Sequence, residues 1–324
     1  MSPDLPGPLR AALDRALEGV PRKGLAERAA RTSEAYRAGR PSAGVIREAE
    51  DALAYALTRL PATYAACATV LAEVARLAPD FAPASLLDAG AGTGAASWAA
   101  CEVWPGLASL TWLDASAPFL TLAQALAADA PAALRAASVR RADLTASGPW
   151  PGADLVAMSY ALAEIASDRQ ASVVSELWAS CEGVLALVEP GTPAGYARIL
   201  AARAALIAAD ALILAPCPHE AACPLVGEDW CHFSVRLPRS RDHRLAKGAE
   251  VPFEDERFSY LIAARPGIAT QPPRPRVLAP PRTAKPGIEL KLCGLDGEVG
   301  QRLVSKRDKP AYALARRLDW GDTV

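Results

Sequence analysis

Apolar residues recur at helical spacing through the first 80 residues of the chain. The predicted helices cover residues 8–20, 23–37 and 45–77. Pro61 is expected to divide the last run into two helices, because proline lacks the N–H that a helix interior requires. We therefore predict an N-terminal helical domain over residues 1–82. This part of the sequence shows no arrangement of residues typical of a catalytic site.

The pattern changes after residue 83, where short apolar runs alternate with helical runs. The predicted strands cover residues 85–88, 110–113, 137–141, 154–160 and 183–189. Such alternation is typical of a mostly parallel sheet with helices on both faces. Ligands of such α/β sheets bind outside the carboxyl ends of the strands. Residues 253–265 predict an additional strand at the edge of this sheet.

The last part of the chain follows a proline-rich link after Arg265. Residues 287–293 and 299–305 predict a hairpin, and residues 310–318 predict a helix. We therefore divide the remainder into an α/β domain over residues 83–267 and a small β extension over residues 268–324.

Charge is distributed unevenly, although the net charge of the whole chain is only −1. Residues 232–324 hold 18 of the 35 Lys and Arg but only 11 of the 36 Asp and Glu. The C-terminal third of the chain is therefore basic, which favours an anionic partner such as RNA. An arginine-rich surface without a partner is the alternative.

The first predicted strand ends in Asp88 and is followed by Gly90, Gly92 and Gly94 before a helix begins near Ala95. Glycines at such a junction let a ligand approach the backbone, and the helix N-terminus offers free N–H groups. The spacing G-x-G-x-G differs from the dinucleotide and phosphate-loop patterns. It resembles the first motif of S-adenosylmethionine-dependent methyltransferases, which implies a Rossmann-like class I methyltransferase sheet.

Three acids follow strands of this sheet. Asp88 is expected to orient the methionine end of the cofactor, and Asp114 to accept both ribose hydroxyls, since a carboxylate is an acceptor of hydrogen bonds. Asp143 lies where it could accept from an adenine amino group, although a helix-capping role is equally consistent with its position. Methyl transfer itself is left open, because the end of the fourth strand, Ser159-Tyr160, lacks the short proline-containing run of amino-methylating enzymes.

Three of the seven cysteines, Cys217, Cys223 and Cys231, lie in a proline-rich loop over residues 216–233. Their spacing, C-x5-C-x7-C, is a poor zinc pattern. A soft metal or an iron–sulfur cluster suits it better and requires a fourth thiolate. Cys293, before a turn in a separate segment, is the predicted fourth ligand. His219 and His232 are further possible ligands or hydrogen-bond donors to cluster sulfurs.

These motifs together resemble the methyltransferase-like proteins of the small ribosomal subunit, known from bacteria and mitochondria and linked to subunit assembly. The resemblance covers most of the chain from about residue 83. It rests on the following segments: Pro216-Cys217-Pro218-His219, Cys223-Pro224-Leu225, Trp230-Cys231-His232-Phe233, residues 254–260, Ser305-Lys306-Arg307-Asp308 and Trp320-Gly321-Asp322.

The resemblance implies a 4Fe-4S cluster on Cys217, Cys223, Cys231 and Cys293, and binding to small-subunit rRNA. An active rRNA methyltransferase is the first alternative, and a small-molecule methyltransferase with a zinc loop is the second. The first 20 residues resemble neither a secretory signal nor a transit peptide, and no apolar run is long enough to span a membrane. We therefore expect a cytoplasmic protein that does not enter membranes and is monomeric off the ribosome.

Overall fold

A computed structural model describes residues 4–37, 44–146 and 148–324. Its first part contains four helices: α1 (Gly7–Leu17), α2 (Arg22–Arg37), α3 (Ala49–Thr58) and α4 (Leu60–Leu77). The break predicted near Pro61 lies at Arg59, which ends α3 and caps α4. Pro61 itself lies in the first turn of α4, where the missing N–H leaves no helical hydrogen bond unmade.

An eight-stranded sheet forms the centre of the molecule. Its strands are β1 (Ser85–Ala89), β2 (Ser109–Asp114), β3 (Ser138–Arg141), β4 (Ala153–Ser159), β5 (Cys181–Pro190), β6 (Leu212–Ala215), β7 (Phe233–Pro238) and β8 (Phe253–Ala264). The helices that connect them are α5 (Ala95–Val103), α6 (Ala117–Leu126), α7 (Ala132–Arg135), α8 (Ser167–Ser180), α9 (Pro193–Ala208) and α10 (Arg241–Lys247).

The strand order is β3-β2-β1-β4-β5-β8-β6, with β7 also paired to β8. Strands β1 to β5 are parallel, whereas β8 runs antiparallel to β5, β6 and β7. The predicted class I methyltransferase sheet is therefore confirmed. The prediction that residues 253–265 form an edge strand is wrong, because β8 lies between β5 and β6. Its continuous apolar run, buried from Phe258 to Ala264, is typical of an interior strand.

The C-terminal extension forms a second, four-stranded sheet. It contains β9 (Arg276–Val277), β10 (Arg282–Thr283), β11 (Gly287–Cys293) and β12 (Val299–Ser305), followed by α11 (Lys309–Ala315). The predicted hairpin is the antiparallel pair β11–β12, in which Cys293 is opposite Val299. A small apolar core joins this pair to α11 through Leu290, Val304 and Ala315.

The N-terminal helices and the central sheet share one hydrophobic core. Leu9 of α1, Leu57 of α3 and Leu71 of α4 belong to the same buried cluster as Trp98 and Trp112. This core contains residues from both sides of residue 82. The domain limits at residues 82 and 267 stay predictions from the sequence. Within the described ranges, no helix combines the length and apolarity that crossing a membrane would require.

Candidate cofactor pocket and cysteine cavity

The glycine turn after β1 has a backbone that favours glycine at each of its three positions. Gly90, Gly92 and Gly94 all have positive φ angles, of 71°, 54° and 81°. A Cβ atom on Gly90 would overlap the Cβ atom of Ala161, whereas one on Gly92 would meet no atom within 4 Å. A side chain at position 90 is therefore excluded by packing. A side chain at position 92 would instead project into the adjoining pocket.

A cleft of about 600 Å³ lies over the carboxyl ends of β1, β2 and β4. Gly90, Gly92, Asp114 and Asp143 line it. Its volume is in the range of small-molecule binding sites. The structure thus brings four of the six predicted cofactor residues to one cleft.

Asp114 connects the end of β2 to the glycine turn. Its Oδ2 atom accepts a hydrogen bond from the Gly92 N–H at 2.8 Å, and its Oδ1 atom accepts one from the Ser116 N–H at 2.8 Å. Burial raises the pKa of this carboxyl group above its usual value. Asp143 is exposed and accepts from the backbone and side chain of Thr145, both at 2.8 Å. Asp143 therefore fixes its own turn while it faces the cleft.

Asp88 and Gly94 do not line the cleft. Asp88 is fully buried, and its Oδ2 atom accepts from the N–H and the hydroxyl of Ser97, at 3.1 and 2.6 Å. Burial raises the pKa of Asp88 to about 6. The Ser97 hydroxyl in turn accepts from the indole N–H of Trp112 at 2.9 Å. Asp88 therefore joins β1, α5 and β2 behind the glycine turn.

Sequence reasoning missed residues on the opposite wall of the cleft. Ile46, Arg47 and Tyr55 belong to the N-terminal part of the chain, and all three line the cleft. Tyr55 packs against Phe119 at the start of α6, with ring centroids 4.9 Å apart. No motif marked these residues, because their role depends on how the helices pack against the sheet.

Tyr160, at the end of β4, has its hydroxyl fixed by a hydrogen bond. Tyr160 has a positive φ of 57°, which is rare for a residue with a side chain. Its hydroxyl donates to Glu256 Oε1 at 2.8 Å. Arg59 donates to both Glu256 oxygens, at 2.9 and 3.2 Å, and lies 5.7 Å from the Tyr160 ring centroid. Burial raises the pKa of Tyr160 well above its usual value. The hydroxyl is therefore held protonated and engaged, which makes it unsuited to remove a proton from a substrate.

The four predicted cluster cysteines line a second cavity. Cys217, Cys223 and Cys231 come from the loop between β6 and β7, and Cys293 comes from the end of β11. All four are free thiols around a space of about 30 Å³, which exceeds the volume that a single water needs. The remaining cysteines, Cys67, Cys101 and Cys181, are buried in the hydrophobic core. The fold thus separates four cavity thiols from three core thiols.

The cavity is apolar apart from its sulfur atoms and a few polar groups. The Tyr196 hydroxyl lies 3.0 Å from Cys223 Sγ, and His219 Nε2 lies 3.4 Å from Cys293 Sγ. Burial raises the pKa of Cys231 well above its usual value and that of Cys293 to about 12. The thiols of Cys231 and Cys293 would therefore remain protonated unless a metal cation replaced the protons.

Several thiols around one apolar space form a donor set that suits iron–sulfur ligation. Within the described part of the chain, however, no three His, Cys, Asp or Glu side chains are grouped as ligands of a metal ion. His232 does not line the cavity. Its ring stacks on Trp230 at 5.0 Å and meets the edge of Trp320 at 4.8 Å. His219 therefore remains the histidine near the thiols.

The C-terminal extension carries exposed cations. Lys306, Arg307, Arg316 and Arg317 are all solvent-exposed. Among the residues that the structure describes, none of these four cations forms an ion pair with a carboxylate. Their charge is therefore available to an anionic partner.

The strand order and the glycine turn together define the protein as methyltransferase-like, of the class I type. The family comparison is more specific. A family model described as mitochondrial small ribosomal subunit Rsm22 matches residues 49–324. The chain belongs to the Rsm22 family, as the resemblance in its cysteine loop predicted.

Two kinds of relative support this placement. The human mitochondrial ribosome assembly protein METTL17 is 29% identical over 288 residues, which cover 84% of this chain and 62% of that protein. The mitochondrial Rsm22-cox11 tandem proteins 1 and 2 of Schizosaccharomyces pombe are 26% identical over 323 residues, covering 83% of this chain and 42% of each. The chain thus spans less than two thirds of the length of these relatives.

Solved structures resemble the fold at low identity. Magnesium protoporphyrin IX methyltransferase from Synechocystis PCC 6803, solved with bound SAM, has a TM-score of 0.40 and 19% identity, over 64% of this chain and 84% of that one. The ribosomal protein L11 methylase from Lactobacillus delbrueckii subsp. bulgaricus has a TM-score of 0.37 and 16% identity, over 63% and 78%. With scores of this size, the assignment of fold class rests on the topology described above.

The prediction of a cytoplasmic location is wrong. The family and its curated relatives all carry mitochondrial names. The prediction relied on the composition of the first 20 residues and on the lack of an apolar run long enough to span a membrane. Neither feature identifies a compartment, because proteins without a membrane span occur in every aqueous compartment.

Proposed function

We propose that this protein binds small-subunit rRNA during ribosome assembly and acts there mainly as a scaffold, as a monomer before it joins the ribosome. The observation that carries the proposal is the set of exposed cations Lys306, Arg307, Arg316 and Arg317, none of which pairs with a carboxylate in the described part of the chain. The name of the human relative, a ribosome assembly protein, supports it. Phosphate contacts by such cations release counterions, so affinity falls steeply with salt.

The RNA proposal is tested with small-subunit rRNA at several salt concentrations. Replacing all four cations with Ala should lower both the affinity and the salt slope, because up to about four phosphate contacts are lost, each contributing roughly 0.7–0.9 to the slope. A matched control removes four exposed arginines that are ion-paired with carboxylates. These are Arg10, Arg15, Arg76 and Arg236. Equal loss in the two variants would attribute binding to overall charge and contradict the proposal.

We further propose that the cleft over the glycine turn binds S-adenosylmethionine. Gly90 and Gly92 would let the ligand approach the backbone, and Asp114 would accept from the ribose hydroxyls. Asp143 would accept from the adenine amino group. Calorimetry with S-adenosylmethionine tests this. Equal affinity of wild type, Asp114→Ala and Gly92→Val would exclude the cleft.

The third element of the proposal is a 4Fe-4S cluster held by Cys217, Cys223, Cys231 and Cys293. It is supported by the convergence of these four free thiols on one apolar cavity. Such a cluster would join the loop over residues 216–233 to the C-terminal extension through Cys293. Protein purified without oxygen should contain iron and sulfide in about a 4:4 ratio.

The cluster test has a natural control within the chain. Cys293→Ser should remove iron and loosen the extension, whereas Cys181→Ser, at a buried cysteine outside the cavity, should leave the iron content unchanged. Stoichiometric zinc without sulfide would overturn this element and favour a structural zinc loop.

An active rRNA methyltransferase is the competing function, and the formed cleft favours it. The engaged Tyr160 hydroxyl at the end of β4 favours the scaffold. Mapping rRNA methylation in strains with and without the gene separates the two. A methylated position that disappears on deletion, and returns only with an intact glycine turn, would show the enzyme.

A further inference from the structure

Arg203 is a buried cation beside the cysteine cavity. It lies on α9, lines the cavity, and is only 5% exposed. Its Nη2 atom donates to the carbonyl oxygen of His219 at 2.6 Å. Its Nε atom is buried and has no hydrogen-bond partner among the residues that the structure describes. A guanidinium group cannot be deprotonated in a protein, so the positive charge is permanent.

Two neighbouring arginines each pair with a carboxylate. Arg198, on the same helix, pairs with Glu189 at 2.6 Å. Arg276, which is 3% exposed, pairs with Glu73 at 2.8 Å. In the described ranges, Arg203 forms no such pair with a carboxylate. A buried charge without a counter-charge is costly, and therefore calls for an anion nearby.

Arg203 lines the same cavity as the four cysteine thiols, which can become anionic. Thiolates that bind a metal are deprotonated. Four thiolates carry more negative charge than a divalent cation or an iron–sulfur core neutralises, so the loaded site would keep a net negative charge.

We propose that Arg203 is the counter-cation of an anionic metal–thiolate site formed by the four cavity cysteines. The inference rests on the proposed metal-binding role of these cysteines, but it does not require that the metal be iron. Arg203 does not ligate the metal. It is a positioning residue whose charge stabilises the loaded site and, if the site holds an iron–sulfur cluster, makes the cluster easier to reduce.

The first experiment uses cadmium as the probe and metal-free, reduced full-length protein. Binding is followed by the ultraviolet absorption of cadmium–thiolate bonds. Arg203→Gln keeps an N–H donor for the His219 carbonyl but removes the charge, and Arg203→Lys keeps the charge. We expect the Gln variant to raise the cadmium dissociation constant about tenfold and the Lys variant to raise it much less, since hydrogen bonds and ion pairs involving charged groups are the strong ones.

The control is Arg198→Gln, which removes a partly buried charge from the same helix at a residue that does not line the cavity. It should leave cadmium affinity unchanged. Melting temperatures of the metal-free proteins complete the comparison. Because Arg203 lacks a counter-charge when the thiols are protonated, Arg203→Gln should leave the metal-free melting temperature unchanged or raise it. If the Gln variant does not fold, Arg203→Met replaces it.

The second experiment measures the midpoint potential of the iron-loaded protein by redox titration. Arg203→Gln should shift it to more negative values, and Arg203→Lys should restore most of the shift. Cadmium affinities that are equal in wild type and Arg203→Gln, or lowered equally by Gln and Lys, would overturn the inference. If iron is absent but the Gln variant still binds cadmium more weakly than the Lys variant and the wild type, the iron–sulfur proposal fails and this inference stands. If neither metal binds, both fail.

Discussion

The sharpest test of the structure concerns Glu256, which accepts the hydrogen bond of Tyr160 at the end of β4. Glu256 is 7% exposed and receives hydrogen bonds from Arg59 and Tyr160. Replacing it with Gln keeps the shape but removes the charge that balances Arg59. Breaking a buried ion pair by removing one partner costs about 3–5 kcal/mol. The Arg59 side chain is 26% exposed and so partly solvated, which places our estimate below this range, at about 2–3 kcal/mol.

The adjacent residue supplies the control. Asp255 pairs with Arg236, but both side chains are largely exposed, at 43% and 63%. Asp255→Asn should therefore cost only about 0–1 kcal/mol. Tyr160→Phe should cost about 1.5–3 kcal/mol, because the lost hydrogen bond goes to a charged acceptor. A double-mutant cycle between Tyr160→Phe and Glu256→Gln should show coupling, since the two side chains are in direct contact.

Denaturant unfolding at neutral pH measures these free energies. If the losses in free energy of unfolding for Glu256→Gln and Asp255→Asn differ by less than about 0.5 kcal/mol, the contacts of Glu256 contribute no more than a surface pair, and the reasoning is refuted. Calorimetry on Tyr160→Phe gives an independent check. We expect S-adenosylmethionine binding to persist in this variant, because the hydroxyl already donates to Glu256.

The remaining predictions concern the glycine turn and its acids. Asp114→Ala should weaken S-adenosylmethionine binding by about 1–3 kcal/mol in calorimetry, since it leaves ligand hydroxyls unpaired. Gly90→Ala should destabilise the protein by about 2–4 kcal/mol in denaturant unfolding, through positive φ and overlap with Ala161. Gly92→Ala should lower the free energy of unfolding only through the strain of the positive φ. The raised pKa of Asp88, about 6, makes its ionised form unfavourable in the folded state. The protonated Asp88 side chain therefore makes its full contribution to the free energy of unfolding below the unfolded pKa of about 4. This contribution, up to about 3 kcal/mol, is lost as the pH rises to 6. Asp88→Asn should abolish this part of the pH dependence; an unchanged slope would contradict it.

The sequence alone determined most of the architecture. Alternating apolar runs predicted β1 to β5, because a parallel sheet needs strands long enough to be buried and helices between them. It did not predict β6, β7 or α10. These elements are short, with four, six and seven residues, and too few residues repeat in them to establish a period. The position of β8 inside the sheet was also missed, since strand order depends on pairing between distant segments.

The candidate sites divide in the same way. Local chemistry marked the glycine turn and the cysteine loop, because residue type and spacing limit what such segments can bind. Only the tertiary structure decided that Asp88 faces Ser97 and not the cleft. Only the structure placed Arg203 beside the thiols without a carboxylate partner. The direction of a side chain and the balance of buried charge depend on what packs against it. Those neighbours come from segments far away in the chain, and no local pattern records them.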